Sequence, residues 1–291
     1  MKNKLIFLWS TRRTLSMAFH RSIYQLSGIK HFCEPFALSH YFGAHKRSVQ
    51  FSKNPEVGER FGQIPTHEER VKEITAEFKD FHTTFVKEHA MYAWPDIIPR
   101  EIMEQSFHTF IIRNPEKAIK SVYRQTLYDF EESVWSHIVP EELGFKEQLL
   151  MYDHVTKVLN KDAFIVDADD LIESPKEVLE SYCKFVGLSF EQSMLDWSNE
   201  AHKTQDKPWD FLPNSWIKDV KETNGFRKVE KKQDAGVDYP EFIYNAIADN
   251  MQYYDTLSKH KIKIEVGLTQ HRVQIQRMIR FFNLSICNNR L

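Results

Sequence analysis

The chain has 291 residues, of which 42% are hydrophobic and 27% are charged, as expected for a soluble globular protein with one large or two small domains. The formal net charge of -2 argues against a nucleic-acid-binding protein that relies on bulk positive charge, so an anionic ligand must be bound by local clusters. The three cysteines lack the spacing of a zinc site or a disulfide framework, which favours a reducing, cytoplasmic setting. No stretch approaches the roughly 20 apolar residues that a membrane span needs.

The first predicted elements are a strand, a polar loop and a helix. Leu5 to Trp9 is a short, bulky apolar run, and apolar residues then recur at helical spacing from Leu15 to Leu26. The segment between them carries hydroxyl groups and arginines: Ser10, Thr11, Arg12, Arg13, Thr14 and Ser16. A helix N-terminus presents free N–H groups to an anion, and paired arginines add charge-assisted contacts to phosphate or sulfate. The pattern therefore predicts a phosphate-binding loop, with solvated arginines on an ordinary turn as the alternative.

Further strands alternate with helices along the chain. The predicted strands are Ile29 to Cys33, His82 to Val86, Phe107 to Ile112 and Phe164 to Val166. The predicted helices cover Glu68 to Phe78, Pro115 to Tyr128 and Glu141 to Leu159, and another helix is predicted to begin at about Pro95. A last helix is predicted to begin at a capping box, Ser174 to Glu177, and to end at Gly187. Residues 43–66 show no period and are predicted as a long loop. The alternation predicts an α/β fold with a central parallel sheet of about five strands and helices on both faces.

Charged side chains stand where these strands end. In a parallel α/β sheet, ligands bind beyond the carboxyl ends of the strands. The residues at those ends are Arg12, Arg13, Glu34, Lys87, His89 and Arg113. We therefore expect one carboxylate, one imidazole and several cations to lie together along a single edge of the sheet.

The C-terminal third is less regular. It contains the aromatic residues Trp197, Trp209, Phe211, Trp216 and Phe226, which fit a lid over the site and a loop packed on the core equally well. Lys261 to Val266 alternates like an edge strand, and Arg272 to Phe282 is basic and partly apolar. We predict a single domain over residues 1–258 and a C-terminal extension over residues 259–291.

Three nearby acidic residues, Asp167, Asp169 and Asp170, raise the question of a metal site. Helix capping and loop tethering by aspartate account for them more simply, so no metal is predicted.

Four segments, in order, resemble the sulfotransferases that use 3′-phosphoadenosine 5′-phosphosulfate (PAPS) as donor. Residues 10–16, STRRTLS, resemble the family's 5′-phosphosulfate loop, and residues 111–121, IIRNPEKAIKS, resemble its 3′-phosphate motif. Residues 86–90, VKEHA, are similar to its lysine-x-histidine motif, and residues 164–188 to its late strand–helix segment. Arg12 stands where the family usually has proline, and Leu15 where it has glycine. Because leucine adopts positive φ only at a cost, the loop is expected to keep right-handed or extended angles.

The resemblance implies a three-layer sandwich like that of P-loop nucleotide hydrolases, with PAPS as donor co-substrate, 3′-phosphoadenosine 5′-phosphate (PAP) as product and no metal. It implies donor-binding roles for Arg12, Arg13, Thr14, Leu15, Ser16, Met17, Arg113, Ser121 and Arg227. It places Lys87 at the leaving phosphate and makes His89 the first candidate for the base that accepts the acceptor's proton. Glu34 is the rival base, because some bacterial carbohydrate sulfotransferases use a carboxylate at this strand end.

The implied reaction is transfer of a sulfuryl group to a hydroxyl or amine of a small-molecule or carbohydrate acceptor, without nucleic acid or membrane as partner. A kinase-like phosphotransferase and a non-catalytic nucleotide-binding protein are the alternatives, although the loop lacks the GxxxxGK[ST] pattern and its lysine. Acceptor pockets in this family are usually built from segments equivalent to residues 43–66, 123–135 and 197–216. The aromatic residues Tyr123, Tyr128, Phe130 and Trp135 fit a stacking acceptor or the core equally well. Whether the chain forms a homodimer is left open.

Overall fold

A computed structural model describes residues 3–51, 55–128, 138–198, 221–227 and 237–263. Its centre is a five-stranded sheet in the order β2-β3-β1-β4-β5, with every neighbouring pair parallel. The strands are β1 (Lys4–Ser10), β2 (Ile29–Cys33), β3 (Thr83–His89), β4 (Phe107–Ile112) and β5 (Ala163–Asp167). The predicted α/β fold with a parallel sheet is confirmed.

Of the nine helices in the described residues, Ala37–Phe42, Ala168–Glu173 and Glu241–Ser258 have no counterpart in the sequence prediction, and the other six lie close to predicted segments. The nine are α1 (Ser16–Ile23), α2 (Ala37–Phe42), α3 (His67–Ile74), α4 (Arg100–Gln105), α5 (Pro115–Tyr128), α6 (Phe145–Asp153), α7 (Ala168–Glu173), α8 (Pro175–Val186) and α9 (Glu241–Ser258). Short 3-10 turns cover Pro55–Phe61, Pro140–Glu142 and Gln192–Met194, and a π-helical turn covers His154–Val158.

Both faces of the sheet are buried, which explains why the strands read as nearly continuous apolar runs. One face presents Phe7, Trp9 and Phe110 to a core that includes residues of α2, α3 and α6. The other face presents Ile6, Leu8 and Phe85 to α1 and α8. Burying each such large side chain stabilises the fold by roughly 1.5–3 kcal/mol. Helices on both faces confirm the three-layer arrangement.

Some predicted element boundaries are wrong. Strand β3 continues through Lys87 and Glu88 to His89, so these residues belong to the strand instead of following it. The predicted helix over residues 141–159 is divided, because Gly144 has a left-handed backbone (φ 86°) immediately before α6. The helix predicted from about Pro95 begins at Arg100, and the one predicted to reach Phe78 ends at Ile74.

The predicted capping box at Ser174 is also wrong. Ser174 precedes α8 and Pro175 occupies its first turn, but the serine side chain makes no capping hydrogen bond. Ser174 also ends α7, where its N–H donates to Asp170 O at 2.8 Å, and this double role fixes it away from capping geometry. A capping box is present instead at α3, between Thr66 and Glu69.

The C-terminal predictions fall partly outside the described residues. Ile262 N–H donates to Ile165 O at 3.1 Å, so the chain reaches the edge of the sheet at β5, but residues 261–263 form no strand. The rest of the predicted edge strand, residues 264–266, lies outside the described residues. Also outside are Trp209, Phe211, Trp216, Phe130, Trp135 and the segment Arg272 to Phe282. Among the described helices, none combines the length and apolar character needed to cross a bilayer.

Candidate active site

The loop between β1 and α1 has an unusual backbone. Arg13 (φ 60°) and Leu15 (φ 64°) are both left-handed, so the expectation of right-handed or extended angles is wrong. Each such residue costs roughly 1–2 kcal/mol. One local and one tertiary hydrogen bond offset that cost: Thr14 Oγ1 donates to Thr11 O at 2.9 Å, and Arg113 Nη1 donates to Arg13 O at 2.7 Å. Left-handed residues in a short loop turn successive backbone N–H groups toward one point, which makes an anion-binding nest.

The two motifs that resemble the family's phosphate sites meet at this loop. Besides the contact from Arg113, Arg13 Nε donates to Ser121 Oγ at 3.0 Å. Arg113 Nε is buried and has no hydrogen-bond partner among the described residues, and the same holds for Thr11 Oγ1. Burial lowers the pKa of Arg113, although the guanidinium stays charged near neutrality. A buried guanidinium N–H without a partner is costly, so its surroundings are suited to an anionic ligand.

A buried ion pair lies at the ends of β2 and β3. Lys87 Nζ donates to Glu34 Oε1, with the lysine side chain 1% exposed and the glutamate 9% exposed. Glu34 is left-handed (φ 50°), and its N–H donates to Lys87 O at 2.7 Å, which fixes it just beyond β2. Burial alone would raise the pKa of Glu34, but the Lys87 ammonium and then His89 lower it well below its usual range. Glu34 is therefore a carboxylate paired with lysine, and not with an arginine of the loop.

His89 completes this cluster. Its Nε2 lies 3.3 Å from Glu34 Oε1 and 3.4 Å from Lys87 Nζ, while its Nδ1 lies 2.9 Å from Ser10 Oγ. Because Ser10 donates its single hydroxyl hydrogen to Glu88 O at 3.0 Å, we assign the imidazole hydrogen to Nδ1. Burial and the Lys87 ammonium lower the pKa of His89 to about 4, so the ring is neutral near pH 7. Nε2 is then the nitrogen that can accept a proton.

Glu88 organises the cluster from the opposite face of the sheet, and the sequence pattern does not single it out. Its carboxylate accepts hydrogen bonds from Phe36 N–H at 2.9 Å and His89 N–H at 2.7 Å. Burial and the Glu34 carboxylate raise the pKa of Glu88, and the two backbone donors act against that rise. The side chain thus ties the turn after β2 to the end of β3. A charged residue between Lys87 and His89, at the end of a strand buried along its whole length, is the signal for it.

Arg12 points into the protein, so the alternative of a solvated arginine is wrong. It is 6% exposed and donates to Tyr41 Oη and, at 3.1 Å, to Gln50 Oε1. Tyr41 Oη lies 2.9 Å from Tyr92 Oη. The phosphate-loop pattern does not identify these partners, because they come from α2, the following loop and the turn after β3.

The remaining predicted site residues have different surroundings. Ser16 is buried in the first turn of α1, Leu15 packs against the α1 side of the core, and Met17 Sδ lies 3.6 Å from Cys33 Sγ. Arg227 is exposed near Asp196.

The structure shows how some residues of the aromatic segments pack. Trp197 is 1% exposed, donates from Nε1 to Thr223 O at 2.6 Å, and meets Phe226 edge-to-face at 5.3 Å, as expected for a loop packed on the core. Tyr123 contacts Tyr239 and Phe242, beside α9 and within it, so it also packs within the protein.

The acidic triplet has structural roles. Asp167 caps α7 through Asp169 N–H at 2.9 Å and accepts from Tyr254 Oη at 2.8 Å. Asp169 pairs with Lys117 and Asp170 with Lys261. In the part of the chain that the structure describes, no three His, Cys, Asp or Glu side chains are grouped closely enough to hold a metal ion.

Comparison with known proteins finds two sequence relatives. Two Arabidopsis thaliana proteins, branched-chain-amino-acid aminotransferase-like proteins 1 and 2, are each 26% identical to the chain, over 165 and 167 residues. The match covers 56% of this chain but only 26% of either relative, so the chain spans about a quarter of their length.

One solved structure shows the same fold, and a second is reported beside it. A sulfotransferase from Alicyclobacillus acidocaldarius matches with a TM-score of 0.52 and 12% identity, over 90% of this chain and 98% of that one. The sulfotransferase domain of the Synechococcus PCC 7002 olefin synthase matches with a TM-score of 0.49 and 15% identity, over 88% and 96%. A family model described as "Sulfotransferase domain" matches residues 4–257. The chain belongs to the sulfotransferase domain family.

Proposed function

We propose that the protein is a PAPS-dependent sulfotransferase that acts on a hydroxyl or amine of a small-molecule or carbohydrate acceptor. The observation that carries this proposal is the contact between the two motifs, in which Arg113 Nη1 donates to Arg13 O at 2.7 Å, while Arg113 Nε is buried and unpaired among the described residues. Two cationic groups at the carboxyl ends of β1 and β4 suit a nucleotide that carries a phosphate at each end.

The residues present fit such a donor. The 5′-phosphosulfate would be bound by the N–H groups of residues 11–17 and by side chains of Arg13, Thr14 and Ser16, with Arg12 bracing the loop from beneath. In this assignment Leu15 and Met17 contribute backbone N–H groups. The 3′-phosphate would be bound by Arg113 and Ser121, both already in contact with Arg13. Arg227 is exposed on the segment after residue 220 and would have to reach the donor from there.

The donor supplies an activated sulfuryl group. An acceptor oxygen or nitrogen forms a bond to sulfur, the bond between sulfur and the bridging phosphate oxygen breaks, and the acceptor's proton passes to the protein. Positioning and electrostatic stabilisation contribute most of the catalysis in such displacements. Lys87 lies fully buried in the cluster with Glu34 and His89, where its ammonium can neutralise the leaving phosphate.

His89 is the better of the two candidate bases. Glu34 is stabilised as a carboxylate by Lys87, so it has little tendency to take a proton. Nε2 is the basic nitrogen of His89, and Glu34 is placed to stabilise the imidazolium that forms. The pKa of His89, about 4 in the free protein, should rise when the negatively charged donor binds nearby.

Transfer of labelled sulfate from PAPS to a panel of alcohols, phenols, sugars and amines tests the proposal. We expect turnover by the unmodified protein and a loss of roughly a hundredfold or more in kcat for His89→Ala, with unchanged PAP affinity. His260→Ala, which removes an imidazole at the far end of α9, serves as the matched control. Equal rates for His89→Ala, Glu34→Ala and the control would rule out both candidate bases, and no transfer to any acceptor would contradict the proposed activity.

A further inference from the structure

A cavity of about 260 Å³ opens beside the candidate active site. Its walls include His40, Met91, Trp94, Glu141, Glu142 and Glu147. Met91 and Trp94 supply apolar and aromatic surface, and the three glutamates line one side. Such a mixture of apolar surface with a few convergent polar groups is typical of small-molecule sites.

The cavity lies within reach of the cluster that contains His89. Met91 and Trp94 belong to the turn directly after His89, and the Tyr92 ring stands between them in sequence. That ring has its centroid 5.2 Å from the His89 ring and 4.9 Å from the His40 ring, so one aromatic ring separates the proposed base from the cavity wall. A Cβ placed on Gly144 would lie 3.2 Å from Met91 Sδ and 3.5 Å from Thr11 Cγ2, so the cavity also adjoins the phosphate-binding loop.

Three glutamates and one arginine line the cavity. Its cation, Arg47, is already paired with Asp96 at 2.8 Å and stacked over Trp94 at 5.7 Å. Glu142 accepts from Ser48 Oγ and Val49 N–H. Glu147 is half-buried, and burial raises the pKa of its carboxyl group, so a bound cation would relieve the cost of ionising it.

His40 provides the observation that points to a ligand. It is 4% exposed, and neither of its ring nitrogens has a hydrogen-bond partner among the described residues. Burial, followed by the Arg12 charge, lowers the pKa of His40 to about 3, so the ring is neutral near pH 7. A neutral imidazole offers one lone pair to a donor such as an ammonium group and does not repel a cation. Buried polar groups without partners are rare and costly in folded proteins.

We propose that the acceptor carries an ammonium group, which binds in this cavity between the glutamates and His40, and that a separate hydroxyl of the same molecule faces His89. This inference rests on the proposed sulfotransferase activity. A protonated amine has no lone pair with which to attack sulfur, so the group that accepts the sulfuryl must be another one, and we assign that role to a hydroxyl. The substrate class is thus amino alcohols, including amino sugars, and the reaction is O-sulfation.

A matched set of three compounds tests the charge preference: para-(aminomethyl)benzyl alcohol, para-ethylbenzyl alcohol and para-(hydroxymethyl)benzoate. They share the reactive hydroxyl and the ring, and differ in carrying a positive, neutral or negative group. Ligand-observed NMR titration without any donor gives their affinities. We expect the cationic compound to bind at least about fivefold more tightly than the neutral one, and the anionic compound to bind most weakly.

Variants test whether the preference for the cationic compound arises in the cavity. Glu147→Gln and Glu141→Gln should each reduce the advantage of the cationic compound over the neutral one, whereas Glu101→Gln, which removes an exposed carboxylate on α4, should not. Equal or weaker binding of the cationic compound, binding of none of the three, or a preference that survives both cavity variants would overturn the inference. A separate titration with PAP keeps the two proposals apart, because failure to bind PAP refutes the donor and leaves the cavity result standing.

Discussion

Replacing Lys87 by methionine removes the cation of a buried ion pair while keeping a side chain of similar length. With Lys87 1% exposed and Glu34 9% exposed, the carboxylate left behind has little access to water. Loss of one partner from a buried pair typically costs about 3–5 kcal/mol, so we expect the free energy of unfolding to fall by that amount at pH 7.5. The cost reflects the unpaired charge more than the lost attraction.

The pH dependence follows from the direction of the Glu34 shift. Its pKa in the folded protein lies well below the ordinary value of 4.5, so the stabilisation is fully present above that value and is lost as the pH falls toward the folded pKa. Lys87→Met removes much of the stabilisation that the ionised Glu34 carboxylate contributes. The deficit of the variant should therefore shrink as the pH falls below 4.5.

Urea unfolding of four proteins measures the coupling: the unmodified chain, Lys87→Met, Glu34→Gln and the double variant. We expect the double variant to be more stable than the sum of the single effects predicts, by at least about 1 kcal/mol. Lys117→Met, which breaks the exposed pair with Asp169, is the control and should cost no more than about 1 kcal/mol. A Lys87→Met cost as small as the control's, or strictly additive effects, would refute the reasoning.

Three further predictions concern the cleft. Arg113→Ala should weaken PAP binding about tenfold or more, through loss of a charge-assisted contact worth roughly 1.5–3 kcal/mol. Adenosine 5′-phosphate should lose less, because it loses only the support that Arg113 gives to the loop through Arg13 O; equal losses for both nucleotides in calorimetry would contradict the 3′ assignment. Leu15→Gly should be more stable than Leu15→Ala by about 1 kcal/mol in thermal unfolding, because both variants lose the packing of the leucine but only glycine adopts the left-handed angle freely. The reverse order would show that residue 15 leaves the left-handed conformation in the variants. The pKa of His89 is about 4 in the folded protein and 6.5 in the free residue, so the free energy of unfolding should decline as the pH falls from 6.5 to 4. His89→Asn should remove about 3 kcal/mol of that decline. An unchanged dependence of stability on pH in the variant would contradict the buried neutral ring.

The sheet was predictable from sequence because its signal is local. A parallel strand buried on both faces is mostly apolar, and the central residues of β1 (Leu5–Trp9) and β5 (Phe164–Val166) satisfy that requirement whatever surrounds them, whereas β4 also carries His108 and Thr109. The gathering of Arg13, Glu34 and Arg113 along one edge then follows from topology alone, since parallel strands end on the same side. The structure brings these residues to that edge.

Features fixed by tertiary contacts could not be predicted in this way. Propensity argued against a left-handed leucine at position 15, but the bond from Arg113 to the neighbouring Arg13 carbonyl stabilises the loop that requires it. The role of Glu88 depends on a backbone N–H contributed by the turn after β2, some fifty residues earlier in the chain. Arg12 was ambiguous because its partners lie on α2 and the loop that follows. Sequence spacing says nothing about which distant groups fill such contacts.

The central claim is that one cleft binds a nucleotide with phosphates at both its 3′ and 5′ positions. Calorimetric titration of the purified protein with PAP in the absence of metal, alongside ATP with Mg²⁺, tests it most directly. The account predicts that PAP binds at least about tenfold more tightly than ATP with Mg²⁺. Tight binding of ATP with Mg²⁺ and no detectable binding of PAP would contradict it.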